Sequence, residues 1–195
     1  FDGPQEELDL TENTQPALLT ASIAAFRAFN EGGGITPSFM AGHSLGEYTA
    51  LVAAGALSFT DAVSLVRLRG RCMQESVPVG EGKMCAILGL DAASVYNICE
   101  TVSDKDSVAV PANLNSPDQV VISGHTRAVD KAAEFAKASG AKRVIHLPVS
   151  VPSHSPLMEG ASMKLSQELS GVIFNDFSTP VITNVEAEPI SNALT

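Results

Sequence analysis

The sequence predicts an α/β protein in which a larger α/β unit is interrupted by a compact βαββαβ segment of ferredoxin-like order. Three observations predict it. A short apolar run, Ile35 to Ala41, leads through Gly42-His43-Ser44-Leu45-Gly46 into an Ala- and Leu-rich stretch ending near Leu57, which reads as buried strand, tight turn and helix. The rhythm then changes to strand (83–90), helix (91–102), two strands (107–112 and 118–123), helix (126–139) and strand (142–147), the βαββαβ order. Beyond a loop bounded by Pro148 and Pro156, helical (157–170) and extended (180–185) patterns return. The expected domains are a core of residues 1–80 and 148–195 and an inserted subdomain of residues 81–147.

The remaining elements follow from spacing and punctuation. Over residues 14–29, Thr14 can cap, Pro16 suits a first turn, and Leu18, Leu19, Ile23 and Phe26 recur at helical spacing. Glu31-Gly32-Gly33-Gly34 stops that helix. Ser58-Phe59-Thr60-Asp61 resembles a capping box with Asp in place of Glu. It opens a helix at 61–76 with an apolar stripe of Val63, Val66, Gly70, Met73 and Val77. Asn115-Ser116-Pro117-Asp118 reads as the turn between the two middle strands. After residue 185 the sequence reads as a polar tail.

Composition narrows the function classes. Across 195 residues, hydrophobic residues at 45% and charged residues at 17% suit a globular protein with one large core, or a core carrying an insert. No apolar run approaches the ~20 residues of a membrane span. A net charge of −10 argues against a nucleic-acid binder, which needs a clustered basic surface, and against an anionic membrane surface. Cys72, Cys85 and Cys99 each lie in an apolar stretch without the close pairing of zinc ligands. They read as reduced core thiols of a cytoplasmic protein, and no metal site is expected. The opening Phe1-Asp2-Gly3-Pro4-Gln5-Glu6-Glu7 is acidic and polar, unlike a secretory signal. With no initiator Met, the chain reads as a fragment or a processed product.

The strongest chemical signal surrounds Ser44. A Gly-x-Ser-x-Gly between strand and helix is a nucleophile elbow. The flanking glycines permit the turn, and the hydroxyl stands at a helix N-terminus, where unpaired N–H groups favour an oxyanion. The Leu45 N–H is the natural first donor. Four histidines compete as base. His43 adjoins Ser44, but neighbouring side chains on a tight turn diverge. His125 opens a helix after Gly124 and reads as solvent-exposed, and His146 reads as a strand histidine. His154 lies in Pro152-Ser153-His154-Ser155-Pro156, where prolines restrict the backbone and can aim one side chain. On pattern alone, both a catalytic and a plain loop role stay open for it. Of Arg67, Arg69 and Arg71, Arg69 borders the apolar stripe, and a site arginine and a snorkelling one are equally consistent with that position.

Five segments, in order, carry a resemblance. They are Thr14-Gln15-Pro16-Ala17-Leu18; Gly42-His43-Ser44-Leu45-Gly46-Glu47-Tyr48; Arg69-Gly70 with Met73-Gln74; Asn113-Leu114-Asn115-Ser116-Pro117; and Val151-Pro152-Ser153-His154-Ser155. Together they resemble the bacterial malonyl-CoA:acyl carrier protein transacylases. Acyltransferase domains of polyketide and animal fatty acid synthases share several of them.

The resemblance implies an α/β-hydrolase-like core with a ferredoxin-like subdomain. It implies Ser44 as nucleophile and His154 as general base. It gives Leu45 as an oxyanion donor, Arg69 as partner of the malonyl carboxylate and Gln15 as a lining residue, with His43, Met73 and Asn113 behind them. Malonyl-CoA and the phosphopantetheine of acyl carrier protein are the implied substrates, with no metal or redox cofactor, in cytoplasmic fatty acid synthesis. The family's opening strand, with a second oxyanion donor, and its C-terminal part, with a histidine-orienting glutamine, have no counterpart in the sequence. The 195 residues are therefore expected to be an incomplete piece of that fold. Two other readings compete: a serine esterase or thioesterase, which gives Arg69 no role, and a non-catalytic carrier-docking domain, which would tolerate loss of Ser44.

Overall fold

The computed structural model describes residues 3–78, 80–149 and 151–193. Phe1 and Asp2 of the acidic opening, and Ser150 of the proline-bounded loop, lie outside the described residues. The chain divides into two units: Phe1–Leu8, Glu12–Gly70 and Leu165–Thr195 form one, and Asp9–Thr11 with Arg71–Lys164 form the other.

In the first unit, helices α1 (Gln5–Leu8) and α2 (Thr11–Glu31) precede strand β1 (Met40–Ala41) and helix α3 (Leu45–Ala54). α2 begins three residues before the expected start, so Pro16 lies inside it. Pro16 cannot donate a backbone hydrogen bond. Instead, side chains tie the first turn to the preceding segment, with Asn13 Nδ2 donating to the Glu7 carbonyl at 2.9 Å and the Thr14 hydroxyl to that of Leu8. The expected strand 35–41 shortens to Met40–Ala41, because Pro37 has no N–H to give a ladder and only these two residues find a partner strand.

Helix α4 (Phe59–Ser76) starts two residues early, capped by Ser58, whose Oγ accepts the Asp61 N–H at 3.1 Å and donates to Asp61 Oδ2 at 2.6 Å. Leu19 and Ile23 of α2 pack with Leu57, Ala62, Leu65 and Val66 to form the core, joined by Tyr48 and Leu51 of α3. Strand β6 (Val181–Ile182) lies parallel to β1, and β7 (Pro189–Ile190) returns antiparallel to β6. The expected strand 180–185 thus ends at Ile182, and β7 and α1 are additions to the sequence reading.

The second unit runs β2 (Gly82–Leu88), α5 (Ala92–Val102), β3 (Ala109–Ser116), β4 (Gln119–His125), α6 (Thr126–Ala138) and β5 (Arg143–His146). Its strands are ordered β3-β4-β2-β5, all pairings antiparallel. β3 runs four residues past its expected end. The hairpin turn therefore shrinks to Pro117-Asp118, with Ser116 opposite Gln119 and its hydroxyl donating to Asp118 Oδ1 at 2.8 Å. Pro111 is tolerated because β3 is an edge strand with an irregular register beside it. Alternation on β2 sends Cys85 and Ile87 to the helices and Met84 and Ala86 to the other face, both faces buried. α6 offers Ala128, Val129, Ala132, Ala133 and Ala136 as one stripe against Ile122, Val95 and Cys99. Ile122 and Val129 are fully buried, and each such side chain stabilises by about 1.5–3 kcal/mol.

Cys72, Cys85 and Cys99 are buried free thiols. Burial pushes the Cys99 thiol up to about 12 and also raises that of Cys85, which keeps both as inert packing groups. Helix α7 (Glu159–Leu169) follows a 3₁₀ turn at Pro156–Met158, where one continuous helix was expected. Among the described residues no helix is long and apolar enough to cross a membrane.

Candidate active site

Ser44 stands between β1 and α3 with φ 54° and ψ −108°. A non-glycine residue there is strained, by roughly 1–3 kcal/mol. Gly42 makes the turn possible: a Cβ on it would lie 1.9 Å from the Gly46 carbonyl. Gly46 is different, since a Cβ there would meet nothing within 4 Å. Only the first of the two flanking glycines is therefore required by packing among the described residues. The helix is opened by backbone groups, with Gly46 N–H donating to the His43 carbonyl at 2.9 Å and Glu47 N–H to that of Ser44 at 3.1 Å. The Ser44 hydroxyl makes no capping hydrogen bond. Leu45 is the first residue of α3, where backbone N–H groups point out of the helix end.

Arg69 reaches this turn from α4. Its Nη2 donates to Ser44 Oγ at 3.0 Å and its Nη1 to Gln15 Oε1 at 2.6 Å. Its Cζ lies 5.7 Å from the centre of the Tyr48 ring. Gln15 is buried, so its carboxamide is a fixed acceptor. Arg69 faces inward because it shares a helix face with Ala62, Leu65 and Val66. That buried stripe is displaced from the expected one, for Val63 is only partly covered while Leu65 is buried. Arg67 and Arg71 are exposed. Burial lowers the Arg69 pKa, against the pull of the Tyr48 and Glu47 charges. Burial also raises that of the Tyr48 phenol, opposed by the Arg69 charge and reinforced by Glu47. The result is a desolvated, positioned cation in contact with the candidate nucleophile.

One residue escaped the sequence reading. Asn184, just beyond β6, accepts the Ser44 N–H on Oδ1 at 2.7 Å and donates from Nδ2 to the Gly42 carbonyl at 2.6 Å. Its own N–H donates to Glu47 Oε1 at 3.2 Å. No local pattern marks an asparagine whose partner is 140 positions away.

The structure thus brings Ser44, Leu45, Arg69 and Gln15 together in the first unit. His43 is there too, exposed, its carbonyl serving as the first acceptor of α3. His154 belongs to the second unit. It is exposed, with φ 59°, between a fully buried Pro152 and a buried Ser155 whose hydroxyl donates to the Pro152 carbonyl at 2.7 Å. Met73 is buried on α4, and Asn113 pairs with Val121 on β3. His125 was expected to be exposed. Instead it is half-buried, and its Nδ1 accepts the Val108 N–H at 3.1 Å. His146 is exposed and lies 3.8 Å from Asp130.

Comparison with known proteins identifies the family and the fold. The model of the acyl transferase domain family matches residues 2–192. The malonyl CoA-acyl carrier protein transacylase of Escherichia coli K12 is 54% identical over 190 residues, which is 97% of this chain and 61% of that protein. The structure of the transacylase of that name from Coxiella burnetii superposes with a TM-score of 0.95 at 54% identity, over 99% of this chain and 61% of that one. A malonyl-transacylase solved in complex with its type II polyketide synthase acyl-carrier protein also gives 0.95, at 50% identity over 99% and 62% of the two chains. The α/β fold is therefore that of known acyltransferase structures. The chain spans about 61% of the length of the curated relatives it matches.

Proposed function

This chain belongs to the acyl transferase domain family, and from that premise we propose that the protein moves a malonyl group from malonyl-CoA to the phosphopantetheine thiol of acyl carrier protein. The transfer runs through a malonyl ester on Ser44. The observation that carries the reading is the Arg69 guanidinium, desolvated and 3.0 Å from Ser44 Oγ. A fixed cation beside the nucleophile suits an acyl group that ends in a carboxylate, and the planar fork of arginine can meet both of its oxygens.

In this reading His154 takes the Ser44 proton as Oγ bonds to the thioester carbonyl carbon. Charge developing on the carbonyl oxygen is met by the Leu45 N–H at the start of α3. The C–S bond breaks, and the CoA sulfur leaves with the proton held by His154. The carrier thiol then gives its proton to His154 and attacks the ester, and Ser44 recovers a proton as it departs. Gln15 holds Arg69, and His43, Met73 and Asn113 take supporting roles in this reading. CoA and phosphopantetheine are substrates, and the chemistry asks for no cofactor.

The same reading takes residues 1–80 and 148–195 as an α/β-hydrolase-like core, lacking terminal parts, and 81–147 as an inserted ferredoxin-like subdomain. The β3-β4-β2-β5 order supports the second assignment, and the strand–turn–helix at Ser44 supports the first. A cytoplasmic enzyme of fatty acid synthesis fits best. The relative solved with a polyketide carrier protein supports a second setting, the acyltransferase of a polyketide synthase. A plain esterase leaves Arg69 without a task.

The test is acid-stable labelling by radioactive malonyl-CoA of the longest natural form that carries this sequence. Label is expected on the wild type and absent from Ser44→Ala, and label passed to carrier protein should exceed free malonate. A Ser44→Ala protein that transfers malonyl at the wild-type rate would overturn the serine mechanism.

A further inference from the structure

We propose that Asn184 is a positioning residue for the nucleophile: its carboxamide substitutes for a missing sheet partner and fixes the orientation of the Ser44 peptide. This deepens the acyl-transfer reading and rests on it for the identity of the acyl group.

The parallel pairing of β1 with β6 ends at Ala41 and Ile182. Immediately beyond, the chain must leave the sheet and enter α3 through a residue at φ 54°. The Gly42 carbonyl and the Ser44 N–H emerge where the ladder has stopped. Asn184 meets both, donating to Gly42 at 2.6 Å and accepting from Ser44 at 2.7 Å. Its Oδ1 and Nδ2 are fixed without ambiguity, since an N–H can face only the oxygen and a carbonyl only the amide nitrogen. Its backbone N–H reaches Glu47 in the first turn of α3 at 3.2 Å. One residue therefore clasps the strand end, the nucleophile and the helix start.

The consequence concerns direction. A Ser44 N–H held at one angle fixes the plane of the His43–Ser44 peptide, the reference from which the N–Cα torsion of Ser44 is set. That torsion sets where Oγ points, and with it the following peptide that carries the Leu45 N–H. Without the clasp, the strained turn is free to relax toward commoner dihedrals, and nucleophile and oxyanion donor lose their common aim. Displacements of about 1 Å at a reacting centre cost on the order of 10²-fold in rate.

The side-chain chemistry is specific. Aspartate matches asparagine in shape, yet when ionised it has no donor for the Gly42 carbonyl. When protonated it regains one O–H donor and keeps one acceptor. The experiment compares wild type, Asn184→Asp and Asn184→Ala in the longest natural form. The rate of covalent labelling of Ser44 is followed with malonyl-CoA and, separately, with a fluorophosphonate probe. At neutral pH both variants are expected to label about 10²-fold more slowly, with KM for malonyl-CoA changed less than about twofold.

As pH falls toward about 4, where an exposed aspartyl carboxyl protonates, the Asp variant should recover relative to wild type at the same pH, and the Ala variant should not. That recovery separates positioning from a general structural role, because loss of fold would not be restored by one proton. If Asn184→Ala fails to fold, the Asp variant carries the same test. Wild-type labelling rates in the Asp variant at neutral pH, or an equal loss at every pH, would overturn the proposal. A wild type that labels with the fluorophosphonate and not with malonyl-CoA overturns the acyl assignment and leaves the Asn184 comparison intact. An unreactive Ser44 with both reagents would sink both.

Discussion

Arg69, 25 residues beyond Ser44 in the chain, donates from Nη2 to the Ser44 hydroxyl oxygen at 3.0 Å. The contact joins the candidate nucleophile and a positioned cation in one small cluster. On the proposed reading, a malonyl carboxylate arriving with the acyl group would meet a guanidinium already held by Gln15.

Substitution at Arg69 should therefore separate acyl groups. Hydrogen bonds to charged groups contribute roughly 1.5–3 kcal/mol, and about 1.4 kcal/mol is a factor of ten. Arg69→Ala is expected to lower kcat/KM for malonyl-CoA by about 10²-fold or more, and that for acetyl-CoA by much less. Arg69→Lys should recover part of the loss, since lysine lacks the planar fork. The measurement is kcat/KM for both esters in the three proteins. An equal fall for both would mean that Arg69 supports the turn and does not read the carboxylate.

His154→Ala is expected to slow acylation by at least ~10²-fold, the usual scale for a positioned base. The wild-type rate should fall on the acid side of its pH profile as the base protonates, and the variant should lack that limb. An unchanged rate and profile would transfer the role to His43, the histidine adjoining Ser44.

The two glycines of the turn should behave differently. Gly42→Ala drives a Cβ to 1.9 Å from the Gly46 carbonyl, and overpacking of that kind costs about 1–3 kcal/mol or more. Gly46→Ala enters open space within α3 and should stabilise by about 0.5–1 kcal/mol through helix propensity. Thermal midpoints of the two variants check this, with opposite signs expected.

Asp91 caps α5, its Oδ1 accepting the Ser94 N–H at 2.7 Å. This backbone bond, followed by the Ser94 hydroxyl, holds the carboxyl below its ordinary pKa. A carboxyl depressed in the fold stabilises above its unfolded pKa, and that contribution is lost as pH falls through the folded value. Asp91→Ala should therefore be less stable than wild type at pH 7. The gap should narrow as pH drops below about 4. Asp91→Asn, which keeps an acceptor without a charge, should sit between them at pH 7. Denaturant midpoints across pH provide the check, and a gap that stays constant to low pH would remove the ionised cap as its cause.

Patterns decided by near neighbours in the chain were legible without coordinates. Alternation along β2 and β4, the alanine stripe of α6, the Ser58–Asp61 cap and the glycine before Ser44 each depend on residues two to four positions apart, and spacing encodes that directly. Strand length was not legible. Residues 35–39 and 183–185 are as apolar or extended in pattern as their neighbours, but a strand exists only where a second strand supplies hydrogen bonds, and β1 and β6 share just two residue pairs.

Spacing singled out Arg69 among the three arginines of α4 and left its task open; its contact with Ser44 was decided by the tertiary structure, once Leu65 and Ala62 had claimed the buried face of the helix. So was the part played by Asn184, whose partners lie about 140 positions earlier. A hydrogen bond is set by separation and angle at about 3 Å. Between groups so distant in sequence, only the packing of the intervening chain brings them to that separation.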